Sequence, residues 1–151
     1  MITEFLSCLL GRWSNKDQAF SNPTRYSWIL SSWDDVGEGK ILSKQWYHYM
    51  GEDKPYREKI KTFIETESGI LAQTWDIDGT RNNLCDMHIT LSKGVWIGKN
   101  LGTECIINGA TLRSEFELQP GQFLTRDAGF IDDKLVWGSL DYYHFGRLAQ
   151  R

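Results

Sequence analysis

The sequence predicts an all-β, antiparallel domain of about ten short strands that follows one N-terminal helix. Three observations predict it. After residue 23 the apolar residues recur with a period of two, and Gly, Asn, Asp and Pro interrupt them at short intervals. The connections are too short to hold crossover helices, so the strands form a closed barrel or a sandwich. Aromatic residues make up 13% of the chain, more than so small a core requires, which favours a barrel with a ring-lined hollow.

The N-terminal helix is predicted over residues 2–13, where apolar side chains recur at helical spacing from Ile2 to Trp13. A second, short helix is predicted from residue 14 to 19, with Asn15 as its candidate cap. The dipeptide Asn22-Pro23 ends any helical segment.

Strands follow in order along the rest of the chain. They are predicted near residues 25–31, 45–50, 56–66, 70–77, 84–91, 103–107, 110–118, 122–127, 134–138 and 142–148. Asn108-Gly109 predicts a type I′ hairpin that places Cys105 opposite Leu112. We find no internal repeat or linker, so residues 1–151 are expected to form a single domain.

Composition excludes several classes of function. The net charge is −3 and the basic residues do not cluster, which argues against nucleic-acid binding. No stretch approaches the length of a membrane span, and the N-terminus lacks the basic start of a signal peptide. Cys8, Cys85 and Cys105 are an odd number and widely spaced, so we expect neither a disulfide nor a zinc site, and a cytoplasmic location.

Three sets of residues are candidates for binding. Most tryptophans fall in or beside strands, where they either fill a core or line a hollow that binds a flat conjugated ligand. Arg57 and Arg81 could each hold a carboxylate at a pocket mouth, whereas Arg25 is expected on the surface. Asp127 is either a turn residue beside Gly129 or a carboxylate that faces cationic nitrogens in the lumen.

Motifs of common enzymes are absent from the sequence. It contains no nucleophile elbow, zinc-protease motif, phosphate-binding loop or dinucleotide fingerprint. His48 and His144 lie on predicted strands, where packing is the expected role. Cys85 and Cys105 have apolar neighbours and are expected to behave as small buried hydrophobes.

Eight segments, in order along nearly the whole chain, resemble the T-type phycobiliprotein lyases, the CpcT/CpeT family. They are Ser14-Asn15-Lys16-Asp17-Gln18-Ala19, Gln45-Trp46-Tyr47, Pro55-Tyr56-Arg57, Glu104-Cys105, Ser114-Glu115-Phe116-Glu117-Leu118, Thr125-Arg126-Asp127-Ala128-Gly129, Trp137-Gly138-Ser139 and His144-Phe145. The chain departs from the family in its trimmed loops, in Glu104 where the family has glycine, and in Ala128 where it has arginine. Such trimming is typical of a member encoded by a phage of marine cyanobacteria.

The resemblance implies a calycin-like (lipocalin-like) barrel that binds an open-chain tetrapyrrole noncovalently, phycoerythrobilin or phycocyanobilin, and delivers it to a cysteine of a phycobiliprotein β subunit. It also implies a homodimer in the cyanobacterial cytoplasm, with no metal and no cofactor besides the bilin substrate. Arg57 and Arg81 suit the propionates, Trp46, Trp75 and Trp137 suit the conjugated rings, and Asp127 suits the pyrrole nitrogens as the catalytic residue. Gln45, Tyr47 and Tyr56 are further ligand-binding candidates. A bilin carrier without transfer activity and a lipocalin-like binder of another apolar acid are the alternatives.

Overall fold

A computed structural model describes residues 1–149 as a mostly β structure with a short helix at its N-terminus. Twelve strands lie in this part of the chain. The elements are α1 (Ile2–Leu9), β1 (Gly11–Ser14), α2 (Lys16–Ser21), β2 (Ile29–Asp35), β3 (Ile41–Tyr47), β4 (Arg57–Thr66), β5 (Gly69–Trp75), a 3₁₀ turn (Asn83–Cys85), β6 (Met87–Ser92), β7 (Val95–Asn100), β8 (Ile106–Ile107), β9 (Ala110–Gln119), β10 (Gln122–Ile131), β11 (Lys134–Gly138) and β12 (Tyr143–Arg147).

Ten of these strands form a closed antiparallel barrel. The ring runs from β1 through β7 in chain order and continues through β9, β10 and β12, which pairs with β1. The short strands β8 and β11 pair only with β9 and β10, respectively, and extend the sheet beyond the ring. The predicted barrel of about ten strands is therefore confirmed, and the sandwich is wrong because the sheet closes on itself.

The N-terminal helix is shorter than predicted. It ends at Leu9, and Trp13, which the apolar pattern assigned to the helix, lies on β1 instead. Gly11 has a φ of +128°, a backbone conformation that favours glycine and turns the chain from helix into strand. The Trp13 indole still donates a hydrogen bond to the Leu9 carbonyl at 2.9 Å, so the two elements stay joined.

Helix α1 lies across one end of the barrel. It contacts β4 and β9, which are nearly opposite each other in the ring. Phe5 is 1% exposed and packs against Phe63, Trp96 and Phe116, with ring centroids 5.2 to 6.4 Å apart. The apolar face of α1 thus closes this end and forms part of the core.

The second helix begins where the sequence predicted it, after Asn15, but not through the predicted cap. The Asn15 side chain makes no hydrogen bond to the helix. It donates to the Ser27 carbonyl at 2.8 Å and accepts from the Ile29 amide at 2.7 Å. Asn15 is 1% exposed, so these bonds satisfy a buried amide and fix the entry to β2.

The hairpin at Asn108-Gly109 is confirmed. Both residues have positive φ angles, +51° and +79°, as a type I′ turn requires. Ile107 pairs with Ala110, and the Leu112 amide donates to the Cys105 carbonyl at 2.8 Å. Cys105 therefore lies opposite Leu112, which is the predicted register.

The expectation of unpaired cysteines is wrong for two of the three. Cys85 and Cys105 form a disulfide that joins the 3₁₀ turn to the segment before β8, while Cys8 is free. The bond lies in a small apolar cluster with Leu112, against which Trp137 packs. Residues 20 positions apart in sequence meet here because the barrel brings β6 and β9 to either side of β7.

Neither α1 nor α2 has the length and apolar character needed to cross a bilayer, and the same holds for every helix in residues 1–149.

Candidate functional site

The barrel encloses an inner cavity that adjoins an outer one. The inner cavity has an empty volume of about 710 Å³ and reaches Phe5 and Leu9 of α1 at the closed end. The outer cavity, of about 810 Å³, lies at the opposite end between the β3–β4 connection, the β8–β9 turn and the start of β12. Both volumes include open solvent beyond the cavity walls.

The two cavities meet at an ion pair between opposite walls. Arg57, the first residue of β4, donates from Nη1 to Oδ2 of Asp127 on β10 at 3.2 Å. The Ser114 hydroxyl on β9 donates to Oδ1 of the same carboxylate at 2.5 Å. Asp127 therefore lies on a strand with its side chain in the lumen, and its interpretation as a turn residue is wrong. Arg57 and Asp127 are only 22% and 24% exposed, and both border the two cavities.

Two lysines continue the positive charge along β4 toward the closed end. Lys59 and Lys61 alternate with outward residues, so they share the inward face with Arg57 and line the inner cavity. Lys59 pairs with Asp76, Nζ to Oδ1 at 2.5 Å. Lys61 donates to the Thr74 hydroxyl at 2.8 Å. Burial, aided by the charges of Arg57 and Lys59, lowers the pKa of Lys61 to about 8.

Sequence reasoning missed Lys59 and Lys61. The signal that could have found them is the alternation Arg57-x-Lys59-x-Lys61, which places three cations on one face of a strand. Phe63 continues the same face into the core, so that face points inward.

Aromatic side chains form one wall of the outer cavity. Tyr47 and Tyr56 stack with ring centroids 4.6 Å apart, and Tyr143 and Trp137 lie on the same cavity. The Arg57 guanidinium carbon is 5.9 Å from the Trp137 ring centroid, within cation–π range. Burial raises the pKa of Tyr56 above its ordinary value, so this phenol stays protonated at neutral pH.

The structure brings six of the nine predicted site residues together. The residues that line one or both cavities are Gln45, Tyr47, Tyr56, Arg57, Asp127 and Trp137. A ligand-binding or catalytic role for these six stays a prediction.

The remaining three, Trp46, Trp75 and Arg81, do not line either cavity. Trp46 alternates with the inward residues of β3 and packs beneath Arg12, whose guanidinium carbon is 5.5 Å from the ring centroid. The Trp75 indole donates to Thr62, on the outer face of β4, at 3.0 Å.

Arg81 is held by an ion pair and a hydrogen bond within the protein and is not open to a ligand. Its two terminal nitrogens bind the carboxylate of Asp86 at 2.7 and 2.6 Å, and one also donates to the Thr74 carbonyl at 3.1 Å. The ion pair with Asp86 raises the pKa of Arg81. With its donors engaged in this way, Arg81 ties the β5–β6 connection to β5 and does not reach the cavity mouth, contrary to the sequence prediction. Arg25 pairs with Asp141 on the surface, as expected.

The fold and the cavity define a class, that of closed antiparallel β-barrels with a charged, ring-lined hollow and a helix across one end. Within this class the chain is similar to the T-type phycobiliprotein lyase CpeT from Prochlorococcus phage P-HM1, with 28% sequence identity, 99% of this chain and 98% of that chain covered, and a TM-score of 0.81. The chain is thus CpeT-like in structure, and this likeness supports the resemblance to the T-type phycobiliprotein lyases that the sequence indicated.

A second solved structure shares the fold. The CRL protein of Arabidopsis superposes with a TM-score of 0.77 over 97% of this chain and 96% of that chain, at 16% sequence identity. No protein-family model matches the chain, and no curated protein matches it in sequence.

Proposed function

We propose that this protein binds phycoerythrobilin or phycocyanobilin noncovalently in its barrel and delivers the bilin to a cysteine of a phycobiliprotein β subunit. The observation that carries the proposal is the Arg57–Asp127 pair where the two cavities meet, with aromatic rings on one side and further cations on the other. A bilin needs all three features: cations for its propionates, rings for its conjugated system and a carboxylate for its pyrrole nitrogens. The similarity to a phage phycobiliprotein lyase supports the same function.

The transfer itself requires little chemistry from the protein. The acceptor thiol adds across the ethylidene double bond of the bilin: a sulfur–carbon bond forms, and the thiol proton ends on the neighbouring ring carbon. The sum of the reactants is the product, so no oxidant or reductant is consumed. Asp127 would hold the pyrrole N–H groups, and the barrel would keep the bilin extended with its ethylidene group at the mouth.

Partners and location belong to the same proposal. We expect a homodimer, for which the edge strand β11, with the exposed side chains of Leu135 and Val136 on its two faces, is a candidate contact. We also propose that the protein acts in the cytoplasm of a cyanobacterial cell during phage infection. The Cys85–Cys105 disulfide is uncommon in a reducing compartment, so a thiol count of protein isolated from such cells tests this location.

A titration with phycoerythrobilin, followed by absorption and fluorescence, tests bilin binding. We expect a red-shifted, sharpened band that is lost on denaturation, because no covalent bond forms with this protein. Arg57→Ala is expected to weaken binding about tenfold or more, whereas the matched change Arg25→Ala, at a surface pair, leaves it unchanged. An unchanged spectrum at micromolar bilin contradicts the proposal, and equal effects of the two variants remove Arg57 from the site.

Co-expression separates the lyase from a carrier that binds bilin without transfer. A carrier is suggested by the two departures from the family pattern, Glu104 and Ala128, of which Ala128 is buried beside Asp127. A phycoerythrin β subunit should become covalently coloured in cells that make the bilin only when this protein is present. Bound bilin without coloured subunit would indicate the carrier, and preference for a fatty acid would indicate a general binder of apolar acids.

A further inference from the structure

One cation of the inner cavity lacks a counterion. Arg57 pairs with Asp127 and Lys59 pairs with Asp76, but no carboxylate of the described residues lies within 4.0 Å of the Lys61 Nζ. The hydrogen bond of Lys61 goes to the neutral hydroxyl of Thr74. A cation enclosed by protein without a partner is costly, and its open side faces the cavity.

The position of Lys61 on β4 determines how far into the barrel a ligand must extend to contact it. Residues on one face of a strand recur about every 6.7 Å, so Lys61 lies about 13 Å along the strand from Arg57, toward the end that α1 closes. On the side toward α1 its neighbours in the inner cavity are apolar, namely Phe63, Ala72 and Met87, whereas on the other side Lys61 borders a smaller cavity with polar walls at Thr74, Asn100 and Ser114. A ligand carboxylate that enters from the apolar side pairs with an ammonium that is shielded from solvent, where the attraction between opposite charges is stronger than in water.

We propose that Lys61 binds one carboxylate of the ligand deep in the barrel, so that the bilin is held with a propionate pointing inward instead of both propionates at the mouth. This inference rests on the proposed function, because it assumes a ligand with acidic side chains. It also assigns a specificity: the site distinguishes a free acid from a neutral ester of the same size and ring system.

The pKa of Lys61 is lowered in the empty protein, as expected for a buried cation whose anionic ligand is not bound. Near pH 8 Lys61 of the empty protein is protonated in about half of the molecules, and a bound carboxylate would favour the charged form. The charged groups that act on Lys61 are Arg57 and Lys59 from β4, Asp127 from β10 and Asp86 ahead of β6. Binding of the free acid should therefore weaken as the pH rises from 7 to 9, whereas binding of an ester should not.

The experiment compares phycoerythrobilin with its dimethyl ester in absorption titrations of four proteins: the natural protein, Lys61→Met, Lys61→Gln and Lys44→Met. Lys61→Met removes the charge and keeps the length, and Lys61→Gln keeps a hydrogen-bond donor near Thr74. Lys44 faces outward from the neighbouring strand β3, so Lys44→Met is the matched control. Near-ultraviolet circular dichroism verifies that each variant is folded.

The natural protein and Lys44→Met are expected to bind the free acid at least tenfold more tightly than the ester. Both Lys61 variants should lose about tenfold in affinity for the acid and less than twofold for the ester, and their affinity should no longer fall between pH 7 and 9. If the natural protein binds the acid but the Lys61 variants bind it equally well, the inference is overturned and the proposed function stands. If the natural protein binds neither form, the proposed function fails and the inference fails with it.

Discussion

At the scale of single residues, Gly129 leaves room for the indole ring of Trp137 at the cavity wall. Trp137 lies directly against Gly129, its partner across β10 and β11. A methyl group at position 129 would come within 2.2 Å of the indole ring, so the ring lies where a side chain would otherwise be. The glycine therefore allows Trp137 to border the outer cavity, and no other residue leaves this space.

Gly129→Ala is expected to displace Trp137 and to lower the free energy of unfolding by about 1–3 kcal/mol, the usual cost of overpacking. Urea unfolding, with near-ultraviolet circular dichroism to detect the displaced indole, measures both effects. Gly146→Ala is the matched control, because nothing lies within 4 Å of a methyl group there, and it should change the free energy by less than about 0.5 kcal/mol. Equal stability of the two variants would contradict the fitted contact.

The candidate site was predictable where residue type and strand period agreed. Gln45 and Tyr47 are two residues apart on β3 and share the lumen, whereas Trp46 lies between them and must face outward. Placing all three in one site therefore conflicts with the period of a strand. Lys59 and Lys61 were missed for a different reason: charged residues on a strand normally face solvent, and only a hollow barrel with a polar lumen reverses that expectation.

At the scale of elements, the period-two segments predicted the strands well because each has its own local signal. The junction of α1 and β1 was not predictable, since the apolar stripe of the helix continues into the strand at Trp13 without a break. The Cys85–Cys105 bond was also not predictable, because 20 residues of sequence separate the cysteines and only the closed sheet brings them together.

Helix α1 also carries a prediction about stability. Phe5 is 1% exposed and fills the end of the barrel, so Phe5→Ala should lower the free energy of unfolding by about 3–5 kcal/mol. Phe20 on α2 is 62% exposed and makes one edge contact with Trp28, so Phe20→Ala should cost at most about 1 kcal/mol. Chemical denaturation of both variants measures the difference. Similar losses would mean that α1 does not close the core.

At the scale of the whole molecule, the barrel combines a well-packed apolar cluster with a lumen whose buried charges lower stability. The buried apolar cluster joins α1 to strands around the ring, but the inner cavity holds three cations on a single strand. Ion pairs compensate the charges of Arg57 and Lys59, whereas the charge of Lys61 is uncompensated and destabilises the empty protein. A protein selected only for stability would carry an apolar residue there, which is why we interpret the lumen as a binding site.

This cost makes the stability of the empty protein depend on pH in a defined direction. The pKa of Lys61 is about 8 in the folded protein, below its ordinary value of 10.5, so between these values the unfolded chain binds more protons than the folded one. The penalty for the charged lysine is therefore fully present below about pH 8 and is relieved as the pH rises toward 10.5. The natural protein should accordingly gain stability relative to Lys61→Met between pH 8 and 10.

Urea unfolding of the two proteins at pH 7, 8, 9 and 10 measures this difference without any ligand. Lys61→Met should be the more stable protein at pH 7, and its advantage should shrink steadily above pH 8. The raised pKa of Tyr56 acts in the opposite direction only above about pH 10, where the folded protein resists ionisation of the phenol, and both proteins share it. A difference in stability that does not change from pH 7 to 10 would show that Lys61 is solvated in the empty barrel, and the cavity would then hold no uncompensated charge for a ligand to neutralise.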